Sequence, residues 1–371
     1  MRGKNIVGIV FSNMHDEMIR ELTDTRTMGS VPFGARYRLI DFQLSNMVNS
    51  GITKVGVITK SNYQSLMDHL GSGKAWDLSR KREGLYILPP FGHGNAVYKS
   101  RVEALSGVSG FLKNCKEEYV LLTDCDVVAN IDIQAWYKQH IESGADVSMA
   151  YKRGRIPEKM ANSLVLNMDA DHKIREILFN PILDDVCAYG LRMWMMKREL
   201  LMKLVSDAYS RNQLSFERDI LQQNLQKYTM VGYEIENFSM LISCMNEYFS
   251  ANMSLLDAKV RNDLFRDSKP IYTKVRDDMT ARYGLGSNVK NSLIADGCVI
   301  EGEVENSILF RGVHVGKWAK VSNCILMQDS EVGDNAKLSY VVTDKNVMIK
   351  HDRSVSGYSS YPVFISKRSV V

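Results

Sequence analysis

Short apolar segments alternate with longer amphipathic segments from Ile6 to about Met240. Five apolar runs predict buried strands over residues 6–11, 55–59, 119–123, 147–151 and 230–236. Apolar residues at helical spacing predict helices over residues 40–50, 131–141 and 246–258, with Asp132 opening the second and the third closing the domain. This alternation is typical of an α/β domain with a mostly parallel sheet and helices on its faces.

The pattern changes beyond Lys290, where branched apolar residues recur every six residues with two changes of phase. These positions are Ile294, Ile300, Leu309, Val315, Val321, Leu326, Val332 and Leu338. The position two residues before each holds a small or short side chain, namely Ser292, Cys298, Ser307, Val313, Ala319, Cys324, Ser330 and Ala336. Such a repeat predicts a parallel β-helix with triangular coils, in which the small residue fits a corner and the apolar residue fills the axis.

The two patterns predict two domains. The α/β domain covers residues 1–260 and the β-helix covers residues 288–371, while residues 261–287, which include Pro270, form a linker. Because the coils of a β-helix end in open strand edges, we expect this domain to dock on its neighbour or on another subunit.

The composition excludes several classes of protein. Of the 371 residues, 45% are hydrophobic and 24% are charged, and the formal net charge is +4. This charge is too dilute to suggest a nucleic-acid or membrane-surface partner, and no segment approaches the roughly 18 apolar residues of a membrane helix. The six cysteines form no C-x-x-C pair, which argues against a zinc site or a disulfide scaffold and favours a cytoplasmic location.

Several segments carry a resemblance to a known family. Residues 22–52 read LTDTRTMGSVPFGARYRLIDFQLSNMVNSGI, followed by SLMDHLGSGKAWDL (65–78), GNAVY (94–98), YVLLTDCD (119–126), SGADVSMAY (143–151) and ANMSLL (251–256). Through them the chain resembles the sugar-nucleotide pyrophosphorylases over nearly its whole length, and most closely the ADP-glucose pyrophosphorylases, or glucose-1-phosphate adenylyltransferases. The resemblance implies a Rossmann-like nucleotidyltransferase domain followed by a left-handed β-helix of hexapeptide repeats. It also implies transfer of adenylate from ATP to glucose 1-phosphate with release of pyrophosphate.

The phosphate-binding loop of that family is altered here. The family's glycine-rich loop aligns with SNMHDEMIRELT, residues 12–23, which has no glycine. Asp16 and Glu17 stand where the family has Gly and Thr, and Met18 replaces the following Arg. Glycine allows backbone amides to turn closely towards phosphates, whereas two adjacent carboxylates repel a triphosphate. We therefore expect weak binding of nucleotide unless these carboxylates point elsewhere or recruit a cation.

Other positions implied by the resemblance are also changed. Met28 replaces the family's lysine in R-A-K-P, Asn180 replaces its sugar-phosphate lysine, and Leu241 replaces the second magnesium-binding aspartate. Asp126 retains the first aspartate and is the candidate metal ligand, while Asp124 lies two residues away on the same strand face and is a candidate substitute ligand. We expect Mg²⁺ in the assembled enzyme, but not held tightly by this chain.

Two arginines carry a regulatory expectation. In the family, the neighbourhood of PFGARYRLIDF contributes basic residues to an allosteric anion site near the β-helix. Arg36 and Arg38 occupy that neighbourhood, and a guanidinium suits phosphate through its forked donors. The alternative is a salt bridge to Asp41 or a plain surface charge.

The losses favour a catalytically silent homologue, and within the family the chain resembles the GlgD-type subunit. The resemblance implies a hetero-tetramer with a GlgC-type catalytic subunit in glycogen biosynthesis, and a phosphorylated sugar as effector. Two alternatives remain: a weakly active adenylyltransferase that uses Asp126 and a remodelled loop, and a sensor that binds a sugar phosphate or nucleotide without turnover. A hexapeptide-repeat acyltransferase would need His314 or His351 as a base, but such enzymes lack the VPFGARYRLIDF segment.

Overall fold

The chain folds into the two predicted kinds of structure. A computed structural model describes residues 5–90, 98–156, 163–182 and 185–371. Residues 94–97 of the GNAVY motif lie outside the described residues. Among the described residues, no helix is long and apolar enough to cross a membrane.

The strands of the α/β domain include all five predicted ones, with bounds that differ by at most three residues. They are β1 (Ile6–Phe11), β2 (Pro32–Phe33), β3 (Tyr37–Arg38), β4 (Lys54–Ile58), β5 (Gly84–Leu88), β6 (Tyr119–Asp124), β7 (Val127–Ala129), β8 (Val147–Gly154), β9 (Leu164–Met168), β10 (Ile174–Phe179), β11 (Cys187–Lys197), β12 (Met230–Glu234) and β13 (Ser239–Leu241).

Most helices of this domain pack on the two faces of the sheet, and the others contribute to the core shared with the β-helix. They are α1 (Arg20–Thr23), α2 (Leu39–Asn49), α3 (Gln64–Leu70), α4 (Arg101–Gly107), α5 (Ser109–Lys113), α6 (Ile133–Glu142), α7 (Arg198–Ser210), α8 (Met245–Ser254) and α9 (Ala258–Leu264). The predicted cap at Asp132 is confirmed, since its side chain accepts a hydrogen bond from the amide of Ala135 at 3.0 Å.

The predicted helix over residues 246–258 is wrong at its end. Helix α8 stops at Ser254, and Asp257 caps a separate helix, α9, by accepting a hydrogen bond from the amide of Lys259 at 2.8 Å. The capping carboxylate satisfies a free amide at the start of a new helix, so the chain turns instead of continuing. Because α9 ends at Leu264, the irregular connection to the β-helix begins later than predicted.

The central sheet has the order β10-β9-β11-β6-β1-β4-β5, with β8 and β12 attached beside β11. Strands β6, β1, β4 and β5 are parallel, and β11 runs antiparallel to β6. Phe11 lies opposite both Asp124 and Ile58, so β1, β4 and β6 end at the same edge. The loop that follows β1 therefore starts beside Asp124, at the edge where open α/β sheets bind ligands.

The C-terminal domain is the predicted β-helix. Its strands are β14 (Arg282–Tyr283), β15 (Asn288–Lys290), β16 (Leu293–Ile294), β17 (Val299–Ile300), β18 (Glu303–Glu305), β19 (Ile308–Leu309), β20 (His314–Val315), β21 (Lys320–Ser322), β22 (Ile325–Leu326), β23 (Glu331–Val332), β24 (Lys337–Ser339), β25 (Val341–Thr343), β26 (Met348–Ile349), β27 (Ser354–Ser356) and β28 (Val363–Ile365). They form three parallel five-stranded sheets, and every third strand belongs to the same sheet. The domain begins at β14, a few residues before the predicted boundary, because Arg282 and Tyr283 pair with Val299 and Ile300.

The repeat positions have the predicted roles. Seven of the eight branched apolar residues are buried along the axis, and Ile294, in the first coil, is half-buried. Seven of the eight small or short residues are also buried, and Ser292, again in the first coil, is half-buried. The difference is confined to the first coil, which has a neighbouring coil on one side only.

The two domains share a hydrophobic core. Side chains from the first domain, including Met28, Phe33 and Phe42, pack with Phe310 and Met327 of the β-helix. A buried ion pair adds to this contact, since Nη2 of Arg26 lies 2.7 Å from both carboxylate oxygens of Asp344. The β-helix is therefore fixed against the segment that leads out of the loop after β1.

Candidate functional site

The loop after β1 does not form a phosphate cradle. Residues Asp16–Ile19 form a short 3₁₀ turn that continues into α1, and the amide of Met18 donates to the carbonyl of His15 at 3.0 Å. The hydroxyl of Ser12 donates to the carbonyl of Ile58 at 2.8 Å, which fixes the start of the loop to β4. The backbone over Asp16–Ile19 is therefore helical, and the amide of Met18 donates a hydrogen bond within the protein instead of facing a ligand.

Asp16 and Glu17 point in different directions. The carboxylate of Asp16 accepts a hydrogen bond from the amide of Met28 at 2.8 Å, whereas Glu17 is exposed. Burial raises the pKa of Asp16 to about 7, although the Met28 amide and Lys60 counteract the rise. Asp16 therefore connects the loop to the buried Met28 segment and does not add a second carboxylate beside Glu17.

Asp124, at the end of β6, and Asp126, in the turn that follows, lie close to this loop. Asp124 and Asp126 are buried, and Nε2 of His15 lies 2.7 Å from Oδ2 of Asp124 and 3.8 Å from Oδ2 of Asp126. One ligand atom from each of the three side chains lies within 4.8 Å of the other two. Asp124, the candidate substitute ligand, thus lies close to Asp126, and His15 joins them.

Two buried arginines neutralise these aspartates. Arg192, on β11, pairs with Oδ2 of Asp126, and Arg101, at the start of α4, pairs with Asp124 and also with Glu217. Burial raises the pKa of Asp124, but the charges of Arg101 and His15 outweigh it and hold that pKa well below its usual range. The opposite charges of Asp124 and Glu217 likewise outweigh burial and raise the pKa of Arg101. The cluster is therefore an ionised network that the protein completes with its own cations.

Four residues of this cluster were not predicted as site residues, namely His15, Arg101, Arg192 and Glu217. Arg192 had a usable signal, because it is a single charge in the otherwise apolar segment LRMWMM of residues 191–196, and a buried arginine needs an acidic partner. Arg101 and Glu217 lie in helical segments that are far apart in the sequence, so only the tertiary structure reveals their pairing.

Leu241 occupies the place expected of a second metal ligand. It pairs with Val127 across β13 and β7, and the next amide, that of Ile242, donates to the carbonyl of Asp126 at 2.8 Å. The aligned position thus adjoins Asp126 as the resemblance implies, but the buried side chain of Leu241 has no ligand atom.

The remaining predicted positions have structural surroundings. Met28 is buried in the core shared by the domains, and Met18 is half-buried in the turn after β1. Asn180 follows β10 at the far edge of the sheet, where its side chain accepts a hydrogen bond from the amide of Ser163 at 2.8 Å. Because β9 and β11 separate β10 from β6, Asn180 does not join the aspartate cluster.

A second candidate site lies between the domains and contains Arg36 and Arg38. The pocket has a volume of about 480 Å³ including its open mouth. Among the described residues, its lining has five cationic side chains, from Arg36, Arg38, Lys274, Arg276 and Arg311, and one carboxylate, from Asp68. The α/β domain, the connecting segment and the β-helix each contribute cations to it.

Helix α8 holds the segment that carries the first two arginines. Asn252 accepts a hydrogen bond from the amide of Gly34 at 2.9 Å, and the hydroxyl of Tyr248 donates to the carbonyl of Pro32 at 2.7 Å. Gly34 has φ 57°, and an added Cβ would lie 3.0 Å from Leu255, so glycine suits this turn. The ANMSLL motif therefore has a defined role in positioning the arginine segment.

The pocket has an excess of positive charge. Arg38 donates to the carbonyl and hydroxyl oxygens of Ser65 at 2.5 and 3.0 Å, so the alternative of a side-chain salt bridge to Asp41 is not observed. Burial, together with Arg26 and Arg276, lowers the pKa of Arg38 to about 10. Burial, together with Arg38 and Arg26, also lowers the pKa of Lys345, which is not among the described lining residues, to about 7. A bound anion would relieve this repulsion.

Comparison with known proteins identifies the family. Residues 17–237 match the nucleotidyl transferase family, and residues 275–359 match the GlmU-like, C-terminal hexapeptide family. The chain is 33% identical over 370 residues to a glycogen biosynthesis protein GlgD of Bacillus subtilis (strain 168), covering 99% of this chain and 97% of that protein. The chain belongs to the glucose-1-phosphate adenylyltransferase family. The resemblance inferred from the motifs, and the fold of a nucleotidyltransferase domain followed by a left-handed β-helix, are confirmed.

Two further relatives represent both kinds of protein in this family. A glycogen biosynthesis protein GlgD of Geobacillus stearothermophilus is 35% identical over 319 residues, covering 85% of this chain and 82% of that protein. A glucose-1-phosphate adenylyltransferase of Clostridium perfringens (strain SM101 / Type A) is 29% identical over 340 residues, covering 90% of this chain and 87% of that protein.

The residues around Asp126 do not fit the Mg²⁺ that the family implies. Magnesium requires a nearly octahedral set of oxygen ligands, usually including several waters. Here Leu241 provides no oxygen, the nearest third ligand atom is a nitrogen of His15, and the guanidiniums of Arg101 and Arg192 already pair with the two aspartates. The described residues around Asp126 therefore do not form a Mg²⁺ ligand set.

The raised pKa of Asp16 gives a pH-dependent stability. The carboxyl ionises near 3.8 when unfolded and near 7 when folded, so its stabilising contribution is complete below pH 4 and is lost as the pH rises through 7. Asp16→Asn keeps an oxygen for the Met28 amide and removes the ionisation. We expect this variant to gain stability relative to the parent chain between pH 4 and 8, by at most about 4 kcal/mol for roughly three pKa units.

Thermal unfolding of both proteins at several pH values measures this difference. Glu17→Gln is the matched control: it removes only the weakest cause of the raised pKa of Asp16, so it should leave most of the pH dependence of the parent chain in place. Parallel pH profiles for Asp16→Asn and the parent chain would contradict the assignment.

Proposed function

We propose that this chain is a GlgD-type subunit of glucose-1-phosphate adenylyltransferase in glycogen biosynthesis, silent by itself, and that it modulates a GlgC-type catalytic partner. The observation that carries the proposal is the pairing of Asp124 and Asp126 with Arg101 and Arg192. The names of the GlgD and adenylyltransferase relatives support the reaction and the pathway.

The reaction requires phosphate-binding and charge-neutralising groups that the loop over residues 12–23 and the aspartate cluster do not offer. An oxygen of glucose 1-phosphate attacks the α-phosphorus of ATP, the bond to the β-phosphate breaks, and pyrophosphate leaves. Phosphoryl and nucleotidyl transfer depend on positioning and on cations that neutralise the developing charge. In this chain the loop over residues 12–23 has no glycine, and the guanidiniums of Arg101 and Arg192 already pair with buried carboxylates.

The partner would provide what is missing. A GlgC-type subunit would supply the phosphate loop and the pair of carboxylates that hold Mg²⁺, and this chain would contribute contacts within a hetero-tetramer. Its influence on the partner would act through the subunit interface, and ordinary coupling of this kind is worth about 1–3 kcal/mol, or roughly 5- to 150-fold.

The pocket between the domains would bind the effector. Five cations against one carboxylate, among the described lining residues, favour a multiply charged anion such as a phosphorylated sugar. The pocket joins both domains, so an anion there would pull Arg36, Arg276 and Arg311 together and stiffen the domain contact. This arrangement also supports the second candidate function, a sensor that binds without turnover.

The first test is the rate of ADP-glucose formation by this chain alone, by a catalytic partner alone and by the mixture. We expect no pyrophosphate release by this chain alone. The mixture should change the turnover or the effector response of the partner by about 5-fold or more, because coupling of at least about 1 kcal/mol is expected.

Two outcomes would oppose the proposal. No change on mixing, with no co-elution of the two chains, would contradict the subunit role. Turnover by this chain alone that is lost in Asp126→Asn would favour the weakly active enzyme instead.

The second test concerns the anion pocket. A phosphorylated sugar such as fructose 1,6-bisphosphate should raise the melting temperature of the parent chain, because a ligand that binds only the folded state stabilises it. Arg36→Ala/Arg276→Ala should reduce that rise by at least half, since it removes two of the five cations. The exposed Arg211 is absent from the lining, so Arg211→Ala should retain the full rise.

The comparison with unphosphorylated fructose separates charge recognition from sugar recognition. An equal rise for both sugars, or an unchanged rise in the double variant, would contradict an anion site at this pocket.

A further inference from the structure

The aspartate cluster resembles a metal site in its spacing. Ligand atoms bound to one divalent transition metal at about 2.1 Å lie roughly 3–4 Å apart. The 3.8 Å from Nε2 of His15 to Oδ2 of Asp126 falls in this range, whereas the 2.7 Å to Oδ2 of Asp124 is a hydrogen bond that a shared metal would lengthen. One ligand atom from each of the three side chains lies within 4.8 Å of the other two. Backbone elements set these distances, because Asp124 ends β6, Asp126 follows it by two residues and His15 lies in the loop after the adjacent β1.

A second observation points to an unused ligand position. Among the described residues, Oδ1 of Asp126 has no hydrogen-bond donor, although Asp126 is fully buried. A buried carboxylate oxygen without a donor is costly, and such atoms call for an explanation. The other oxygen of the same carboxylate is the one that pairs with Arg192.

The guanidiniums provide the positive charge that a metal would otherwise bring. The carboxylates of Asp124, Asp126 and Glu217 carry three negative charges, and Arg101 and Arg192 carry two positive charges. A dication beside the same carboxylates would be repelled by both guanidiniums at short range. Metal and arginines are therefore alternatives at this position.

We propose that Arg192 and Arg101 act as tethered cations in a latent divalent-metal site made by His15, Asp124 and Asp126, and that the arginine on Asp126 excludes metal. This inference deepens the proposed function, on which it rests, because it gives a reason why this chain would not require metal. The mixed imidazole and carboxylate set suits Mn²⁺ or Zn²⁺ better than Mg²⁺.

The test removes the tethered charge and measures metal binding directly. In Arg192→Leu the side chain remains large and apolar, while the carboxylate of Asp126 loses this cation. Titration with Mn²⁺, followed by the electron paramagnetic resonance signal of free Mn²⁺, should show one bound ion per chain in the variant. Its affinity should exceed that of the parent chain by roughly 10- to 100-fold or more, the range found when the surroundings of metal ligands change.

Two controls localise the effect. Arg192→Leu/Asp126→Asn should lose the gained Mn²⁺ binding, because one ligand of the cluster is then neutral. Arg198→Leu removes a different half-buried arginine, which donates to the carbonyls of Glu117 and Leu112, and should not create a site.

A milder substitution at the same position allows the test if Arg192→Leu folds poorly. Arg192→Gln retains a donor for Asp126 and removes the charge, so Mn²⁺ should also raise its melting temperature while leaving that of the parent chain unchanged. Stoichiometric Mn²⁺ binding by the parent chain, or folded variants that bind none, would overturn the inference. Failure of both variants to fold even in millimolar Mn²⁺ would also overturn it, since bound metal should replace the missing charge.

These results are separate from the mixing experiment. A chain whose variants gain Mn²⁺ but which never alters a catalytic partner would keep this inference and lose the subunit role. The reverse result would keep the subunit role and remove the tethered-cation account.

Discussion

A fully buried carboxylate that stays ionised needs an opposite charge beside it, and this constraint shapes the aspartate cluster of the α/β domain. The parallel arrangement of β1 and β6 brings Asp124 to the sheet edge at the start of the loop after β1, and Asp126 follows at once. In this chain Arg101 and Arg192 provide the counter-charges from α4 and β11. Breaking such a pair costs several kcal/mol because it leaves a charge buried and alone. The two aspartates are thus neutralised without a bound ligand.

Positive charge has the opposite role at the boundary between the domains. There Arg26 pairs with Asp344 through Nη2, and the pocket nearby is lined by five cationic side chains and one carboxylate among the described residues, with Asp278 lying 3.4 Å from Nε of Arg311. Burial and neighbouring cations lower the pKa values of Arg38 and Lys345. The segment after α1 connects these two regions, because Arg26 binds the β-helix and the amide of Met28 binds Asp16 in the loop. The segment that carries Arg36 and Arg38 is therefore continuous with one that contacts the loop over residues 12–23.

Local patterns predicted much of the fold and less of the site. Apolar runs predicted the central strands, and the six-residue repeat predicted the β-helix, because each pattern reflects burial within a few neighbouring residues. The direction of a side chain such as Asp16 was not predictable, since its acceptor role depends on Met28, twelve residues away. The partners of Asp124 and Asp126 were missed for the same reason, because Arg101, Arg192 and Glu217 come from separate elements. Resemblance drew attention to Arg36 and Arg38, whose role in effector binding stays a prediction, whereas Arg276 and Arg311 join them in the pocket lining only through tertiary contacts.

The central claim is that the chain's own arginines have replaced its hold on triphosphate and metal. Calorimetric titration of the purified chain with ATP and excess Mg²⁺ tests this most directly, because binding is measured without any requirement for turnover. The account predicts only heats of dilution at ATP concentrations up to the millimolar range. Saturable one-to-one binding of ATP in the micromolar range that requires Mg²⁺ would contradict it.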